Sequence, residues 1–490
     1  MGELSGGRRC DNLVGGKWRA TEGTAELTVR SPWNGTEIAT LAASGTADID
    51  RVVSAAKAAA VTWAATPLKD RVRPLARFYE RMNQCADELA ALASSESGKT
   101  KGEALAGIQR GLEVVEFALG IPNLDRGSTL EVSRGVTCEY RREPLGVVAG
   151  ITPFNFPAMV PMWMFPIALT LGNAFVLKPS EKVPLTACRM AELLVEAGYT
   201  DGLFSLVQGN VSTVCALVDH PDVKAVGFVG SSGAARSVYA RATALGKRAL
   251  CLGGAKNQLL VAPDADPNLT VKAVVDSFTG CAGQRCMAMS VLVVVGDAAR
   301  LIEPIVTRAG KLRLGSDMGA LIDSAARERL TRGIAHALEQ GATLRLDGRE
   351  QSAPAGCEGG NWLGPTVLDQ VTPAMDCARD ELFGPVLSVI RVDTLDEALA
   401  LEQASPYGNA TSIFTQSGAV ARYVAERASS GMVGVNVGVP VPRDPFSFGG
   451  RKDSKFGPGD LTGPGGIEFW SNLKKITTKW ALAEDNNWMS

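Results

Sequence analysis

The 490-residue chain reads as an α/β protein with two sheet-and-helix units and a small separate β segment. Three observations predict this. Short β-rich runs alternate with helical stretches, the pattern of parallel βαβ units. The alternation restarts after Val261, so a second unit follows the first. Two strand-like stretches, Leu130–Arg141 and Ile467–Trp480, fit neither unit. The length itself allows roughly three domain-sized units.

Taken in order, the Ala-rich stretch Ile49–Ala65 has helical spacing, and two further helical patterns fill Asp70–Ser97. A helical segment follows over Glu103–Ala118, and Leu130–Arg141 alternates like an antiparallel hairpin. The runs Gly146–Ile151, Ala174–Leu177, Leu203–Val207, Ala225–Val229 and Gln258–Val261 are strands, with helices such as Leu185–Ala197 and Thr213–Asp219 between them. Beyond Val261 come a strand over Val291–Val295, a helix after Ala298, and αβ alternation to about Gly434. Parallel sheets of this kind take ligands at the carboxyl ends of their strands. The two leftover stretches suit a small sheet that pairs with another subunit, because an open edge is a liability.

Composition narrows the function. Lys and Arg total 50 against 52 Asp and Glu, and this balance argues against a nucleic-acid partner. Only two histidines exist, His220 and His336, so a His-rich metal site is excluded and a histidine-based triad has few candidates. The ten cysteines are dispersed, with no C-x-x-C pair, which fits free thiols in a reducing compartment. Met1–Cys10 has no apolar core of a secretory signal, and Asn486–Ser490 carries no prenylation or retention signal. The expected location is the cytoplasm. The uncharged run Pro144–Leu177 is long enough for a membrane span, but Pro153, Pro157, Pro161 and Pro166 break helix continuity. Buried strands flanking a loop and a helix explain it better.

Five motifs bear on chemistry. Ser97-Gly98-Lys99-Thr100 imitates the tail of a phosphate loop, but Ala93 stands where a glycine is needed. Gly98 then reads as a helix C-terminal glycine. Gly227-Phe228-Val229-Gly230-Ser231-Ser232-Gly233 joins a strand to a helix and suits either a phosphate or a plain tight turn. In Lys178-Pro179-Ser180-Glu181 a strand ends in a cation and a carboxylate, for a ribose or for a surface ion pair. Gly280–Met287 holds Cys281 and Cys286 near glycines and Arg285, a route to a reactive thiol, although most cysteines are inert small apolar groups. Thr152–Pro157 sets Asn155 between aromatics and prolines, as an oxyanion donor or as a turn former.

In this order the segments resemble the aldehyde dehydrogenase superfamily over nearly the whole chain. Val14–Trp18 is similar to its entry strand, and Glu381-Leu382-Phe383-Gly384-Pro385 to its nicotinamide-side motif. The resemblance implies a Rossmann-type NAD-binding domain (residues 1–124 and 143–252) and an α/β catalytic domain (253–455). It implies oligomerisation segments at 125–142 and 456–490, in a homodimer or homotetramer. It makes Cys286 the nucleophile, with Asn155 and the Cys286 N–H holding the oxyanion. It assigns Thr152, Phe154, Lys178, Glu181, Gly230, Ser231, Glu381 and Phe383 to NAD, and no metal. Glu181 favours NAD over NADP, because a carboxylate repels a 2′-phosphate.

Hydrolytic members carry a glutamate base in Glu-Leu-Gly-Gly-Lys. This chain has Cys251-Leu252-Gly253-Gly254-Ala255-Lys256-Asn257, so Cys251 or Leu252 stands at that place and neither serves as a carboxylate base. That absence, with Gly283–Ala288, Pro161–Pro166, Gly434–Asn436 and Pro445–Phe448, resembles the CoA-acylating methylmalonate-semialdehyde dehydrogenase branch. The branch implies coenzyme A as acyl acceptor and a small (methyl)malonate semialdehyde as substrate. It implies loss of the β-carboxylate as CO2, giving propionyl-CoA or acetyl-CoA. The alternative is another aldehyde or semialdehyde, with or without CoA. Arg110 and Arg285 correspond to the branch's arginines for the substrate carboxylate, a task suited to a planar guanidinium. A solvated Arg110–Glu113 pair is the competing reading.

Overall fold

A computed structural model describes residues 7–23 and 25–480. The sequence expectations for Met1–Gly6 and Ala481–Ser490 lie outside the described residues. The first unit is an eight-stranded sheet. Its five central strands run parallel in the spatial order Arg248–Leu252, Val223–Val229, Val147–Ile151, Ala174–Lys178, Phe204–Leu206. The chain enters at Val147–Ile151, winds outward through Ala174–Lys178 and Phe204–Leu206, then returns to the other side through Val223–Val229. A switch point therefore opens between Val147–Ile151 and Val223–Val229, where such sheets take a ligand. The hairpin Asn12–Val14 and Lys17–Arg19, turned by Gly15 and Gly16 at positive φ, closes one edge. The short strand Lys455–Phe456 closes the other.

The central strands are buried end to end, as a sheet covered on both faces requires. Gly150 and Gly227 are opposite each other in register. A Cβ on Gly150 would fall 2.4 Å from the Phe175 ring, and one on Gly227 3.1 Å from Met164 Sδ and the Trp470 ring. These two glycines make room for an aromatic layer in which Phe165, Phe175, Phe204 and Trp470 meet edge-on or stacked.

The second unit is a seven-stranded sheet, parallel except at the edge strand Thr343–Leu346. At its centre Asn257–Val261 lies between Met289–Val295 and Ala410–Phe414. A third, antiparallel sheet joins Ser128–Ser133, Val136–Pro144 and Ser471–Lys479. The hairpin expected at Leu130–Arg141 is there. The strand expected over Ile467–Trp480 begins only at Ser471. Before it, Gly463–Phe469 is a helix with proline in its first turn, and it delivers the fully buried Trp470 to the first sheet's core. Strand Arg248–Leu252 was not anticipated, nor was the small N-terminal sheet of Arg8–Cys10, Glu37–Ala42 and Glu26–Arg30. Each of these strands is short, and pairing rather than local pattern defines it.

The uncharged run resolves into strand Val147–Ile151, the short helices Met159–Met162 and Phe165–Thr170, and strand Ala174–Lys178. No helix among the described residues is long and apolar enough to cross a membrane. Gly98 caps helix Ala86–Ser97 with φ of +80°, as its motif predicted. Lys99 points inward and stacks over the Phe156 ring, 3.2 Å from its centroid.

Candidate active site

A cleft of about 560 Å³ opens at the switch point, between the carboxyl edge of the first sheet and loops of the second unit. Strand Val147–Ile151 ends in the loop carrying Thr152, Phe154 and Asn155. Strand Ala174–Lys178 ends in Lys178 and leads to Glu181. Strand Val223–Val229 ends in Gly230 and Ser231. All of these line the cleft. From the second unit, Cys286, Glu381 and Phe383 form the opposite wall. The chain thus brings together every expected site residue except Arg110 and Arg285.

Local chemistry explains each placement. The Thr152 N–H donates to the Lys178 carbonyl (3.1 Å), which locks the two strand ends together. Lys178 is buried and its ammonium donates to Glu181 (3.1 Å). Burial pulls its pKa down, and Glu181 opposes that pull. Ser231 is the N-cap of helix Ser232–Ala244, so the helix's positive end faces the cleft. The Phe154 and Phe383 rings meet edge-on at 5.9 Å.

The loop leading to Cys286 is held under strain. Cys281, Ala282 and Gly283 all have positive φ, which two of them adopt without being glycine. Glu103 compensates by accepting the Cys281 N–H at 2.5 Å. Gly283 is required by contact as well: a Cβ there would fall 2.1 Å from the Gly384 carbonyl, so this loop and the Glu381–Pro385 loop touch backbone to backbone. Asn257 and Asn409 each donate from the carboxamide to the Cys286 carbonyl at 2.8 Å. The buried Asn155 carboxamide donates to the Gln284 carbonyl at 3.0 Å, which sets it beside Cys286. Burial pushes the Cys286 thiol up to about 12, Glu381 adds to the rise, and Arg285 and Lys99 oppose it.

The place of the missing glutamate is equally clear. Cys251 and Leu252 are buried in strand Arg248–Leu252, and burial alone pushes the Cys251 thiol up to about 12. Neither lines the cleft. The histidines are elsewhere: His220 pairs with Asp50, and His336 with Glu339 and Asp376. Glu181 and Glu381 are the only carboxylates on the cleft wall among the described residues.

Neither arginine faces the cleft. Arg110, on helix Lys101–Leu124, donates to Glu113 (2.5 Å) and to the Pro442 carbonyl (3.5 Å). Arg285 turns back to the C-terminus of helix Pro267–Thr279 and donates to the carbonyls of Asp276 (2.6 Å) and Ser277 (2.7 Å). Carbonyls of a helix's last turn attract a cation, which explains that choice. Sequence reasoning missed four residues. Lys182 and Arg329 line the cleft, and Asn257 and Asn409 anchor Cys286 through its carbonyl. Lys182 adjoins a quoted motif and Asn257 belonged to one. Arg329 and Asn409 gave no local signal.

A doubly wound sheet facing a thiol-bearing α/β unit across a cleft at its switch point is a frame suited to a nucleotide cofactor and to covalent chemistry on sulfur. The chain belongs to the aldehyde dehydrogenase family, whose sequence profile matches residues 18–476. It is 44% identical over 476 residues to malonate-semialdehyde dehydrogenase 1 of Geobacillus kaustophilus (strain HTA426), covering 96% of this chain and 97% of that protein. It is 43% identical to the mitochondrial acylating methylmalonate-semialdehyde dehydrogenase of Arabidopsis thaliana, covering 96% of this chain and 79% of that one. A crystal structure from Sinorhizobium meliloti 1021, in complex with NAD, superposes with a TM-score of 0.96 at 43% identity, covering 98% of this chain and 99% of that chain.

Proposed function

We propose that the protein is an NAD-dependent, CoA-acylating dehydrogenase of malonate or methylmalonate semialdehyde. One observation carries the reading: the cleft presents a thiol beside a carboxamide, while the position of a hydrolytic glutamate is filled by buried Cys251 and Leu252. A thioacyl group formed there has no carboxylate from that segment to activate water, so a second thiol is the fitting acceptor. The names of the Geobacillus and Arabidopsis relatives support the substrate and the acylating step.

The cleft suits a dinucleotide. The Lys178 ammonium and Glu181 carboxylate stand at one end as donor and acceptor for ribose hydroxyls, and the N-terminus at Ser231 favours phosphate. Gly253 and Gly254 leave bare backbone on the wall: a Cβ would meet Ser232 Oγ at 2.8 Å or Glu381 at 2.2 Å. The NAD-bound relative supports this fit. When bound, NAD supplies the hydride acceptor. The protein does the rest. Cys286 gives its thiol proton to solvent and its sulfur bonds to the aldehyde carbon, while the C=O π pair moves to oxygen, where Asn155 and the Cys286 N–H hold the oxyanion. Glu381 and Phe383 orient the nicotinamide end. With the hydride gone, a thioacyl group remains on Cys286. The β-carboxylate leaves as CO2, its bonding pair stays on the α-carbon and takes a proton from solvent, and coenzyme A takes the propionyl or acetyl group as its thiol proton passes to the Cys286 sulfur.

The test is a steady-state assay with methylmalonate semialdehyde, NAD and CoA, the product identified by mass. NADH formed together with propionyl-CoA is expected. Equal turnover without CoA, releasing free acid, contradicts the acylating reading.

The arginine geometry favours the second reading, a different aldehyde, because neither guanidinium lines the cleft. Arg110→Leu separates the two. If Arg110 leaves Glu113 to bind the substrate carboxylate, KM for the semialdehyde rises about tenfold or more, the worth of a charge-assisted hydrogen bond. KM for propanal should barely change. Equal effects on both substrates favour the uncharged aldehyde.

We also assign the three-stranded sheet to assembly in a homodimer or homotetramer. Leu130, Val132, Tyr140 and Leu473 stand exposed on it.

A further inference from the structure

We propose that Glu381 is the proton acceptor for the thiol that receives the acyl group, a duty additional to its place beside the cofactor. The inference rests on the acylating reading above.

Transfer to a thiol needs a base. The acceptor arrives as R–SH, its sulfur must attack the thioacyl carbon, and its proton must go somewhere. The chain segment that would carry a glutamate for this purpose, Cys251–Asn257, supplies none. The Glu381 carboxylate lies on that same segment from the other side. Its Oε1 accepts the Ala255 N–H at 2.9 Å, and its Oε2 is so close to Gly254 that a Cβ there would fall 2.2 Å away. It shares the cleft wall with Cys286, whose thiol feels its charge. The other carboxylate on the wall, Glu181, is tied to Lys178.

The electrostatic surroundings suit the role. Burial raises the Glu381 carboxyl to about 7, and the Ala255 N–H, Lys256 and Arg329 hold it from rising further. Cys286 and Tyr407 feel the Glu381 charge, Asp380 and Asp453 also act on Tyr407, and Cys377 and Asp380 act on Lys256. Lys256 is itself buried beside Glu381 and pulled down to about 8. A base poised near neutrality is efficient at neutral pH.

The step balances. The acceptor S–H bond breaks and Glu381 takes the proton. The acceptor sulfur bonds to the thioacyl carbon, and the Cys286 Sγ–C bond breaks with its electron pair on sulfur. The proton passes from Glu381 to Cys286, restoring the resting thiol. Glu381 acts once the reduced dinucleotide has left and the ribose no longer holds its carboxylate.

The test isolates this half-reaction. Thioacyl-enzyme is loaded with p-nitrophenyl propanoate, which needs no NAD, and is then mixed with CoA between pH 6 and 10. Wild-type propionyl-CoA formation should rise through about pH 7 and level off. In Glu381→Gln the rate at pH 7 should fall about 15-fold, because only about 3% of the acceptor is then thiolate. Its profile should then follow only the acceptor thiol, near pH 8.5. The two curves should converge at high pH, where thiolate needs no base. A merely structural defect would not converge. Adding NADH back should slow the wild type. Wild-type rates and an unchanged profile in Glu381→Gln overturn the proposal, as does an equal loss at every pH. Wild-type thioacyl-enzyme that hydrolyses at the same rate with and without CoA overturns instead the acylating reading beneath it.

Discussion

Cys286→Ala is expected to lower NADH formation from any aldehyde by on the order of 10⁴-fold or more, the usual cost of removing a covalent nucleophile. The loss should appear in the first turnover as well as in the steady state, because in the proposed reaction thiohemiacetal formation precedes hydride transfer. The fold predicts little else. Cys286 is held through its backbone carbonyl by Asn257 and Asn409, so truncating the side chain leaves that anchoring intact. Thermal stability should therefore stay near the wild type. Cys281→Ala is the matched control. That residue is buried, and its N–H is engaged by Glu103, so it stands behind the loop and not on the cleft wall. It should keep its NADH burst. A burst in Cys286→Ala, or its loss in Cys281→Ala, would reassign the nucleophile.

The same loop shows how far the sequence could be read. Motifs at strand ends were legible because a parallel sheet converts sequence order into spatial convergence. Lys178, Gly230 and the Thr152–Asn155 loop follow three neighbouring strands, so their meeting follows from topology. Cys286, Glu381 and Phe383 required the family resemblance, since they come from a second unit whose position no local pattern encodes. What stayed hidden depends on side-chain direction. Arg285 is adjacent to the nucleophile in sequence, yet the carbonyls of Asp276 and Ser277 draw its guanidinium away. Asn409 lies 123 residues from Cys286 and joins it only through the second sheet. The local pattern around Trp470 predicts strand, but the chain needs a turn of helix to set that ring in the space left by Gly227.

The oxyanion role proposed for Asn155 can be told apart from the nucleophile role proposed for Cys286 by Asn155→Ala. Removing one donor of this kind costs about 10²–10³ in rate, or about 2.7–4 kcal/mol of transition-state stabilisation. The expected loss falls on kcat and on the pre-steady-state burst rate, with KM nearly unchanged, because the carboxamide serves charge that develops only after attack. The resting hydrogen bond from Asn155 to the Gln284 carbonyl is also lost, and a net bond of that kind is worth about 1 kcal/mol. A modest drop in Tm should therefore accompany the kinetic defect without accounting for it. Burst amplitude is the discriminating readout. Cys286 remains in Asn155→Ala, so the burst should still reach one NADH per active site, only slowly. An amplitude that falls in step with lost fold would make Asn155 a structural residue of the loop. A wild-type burst rate would remove it from the oxyanion site.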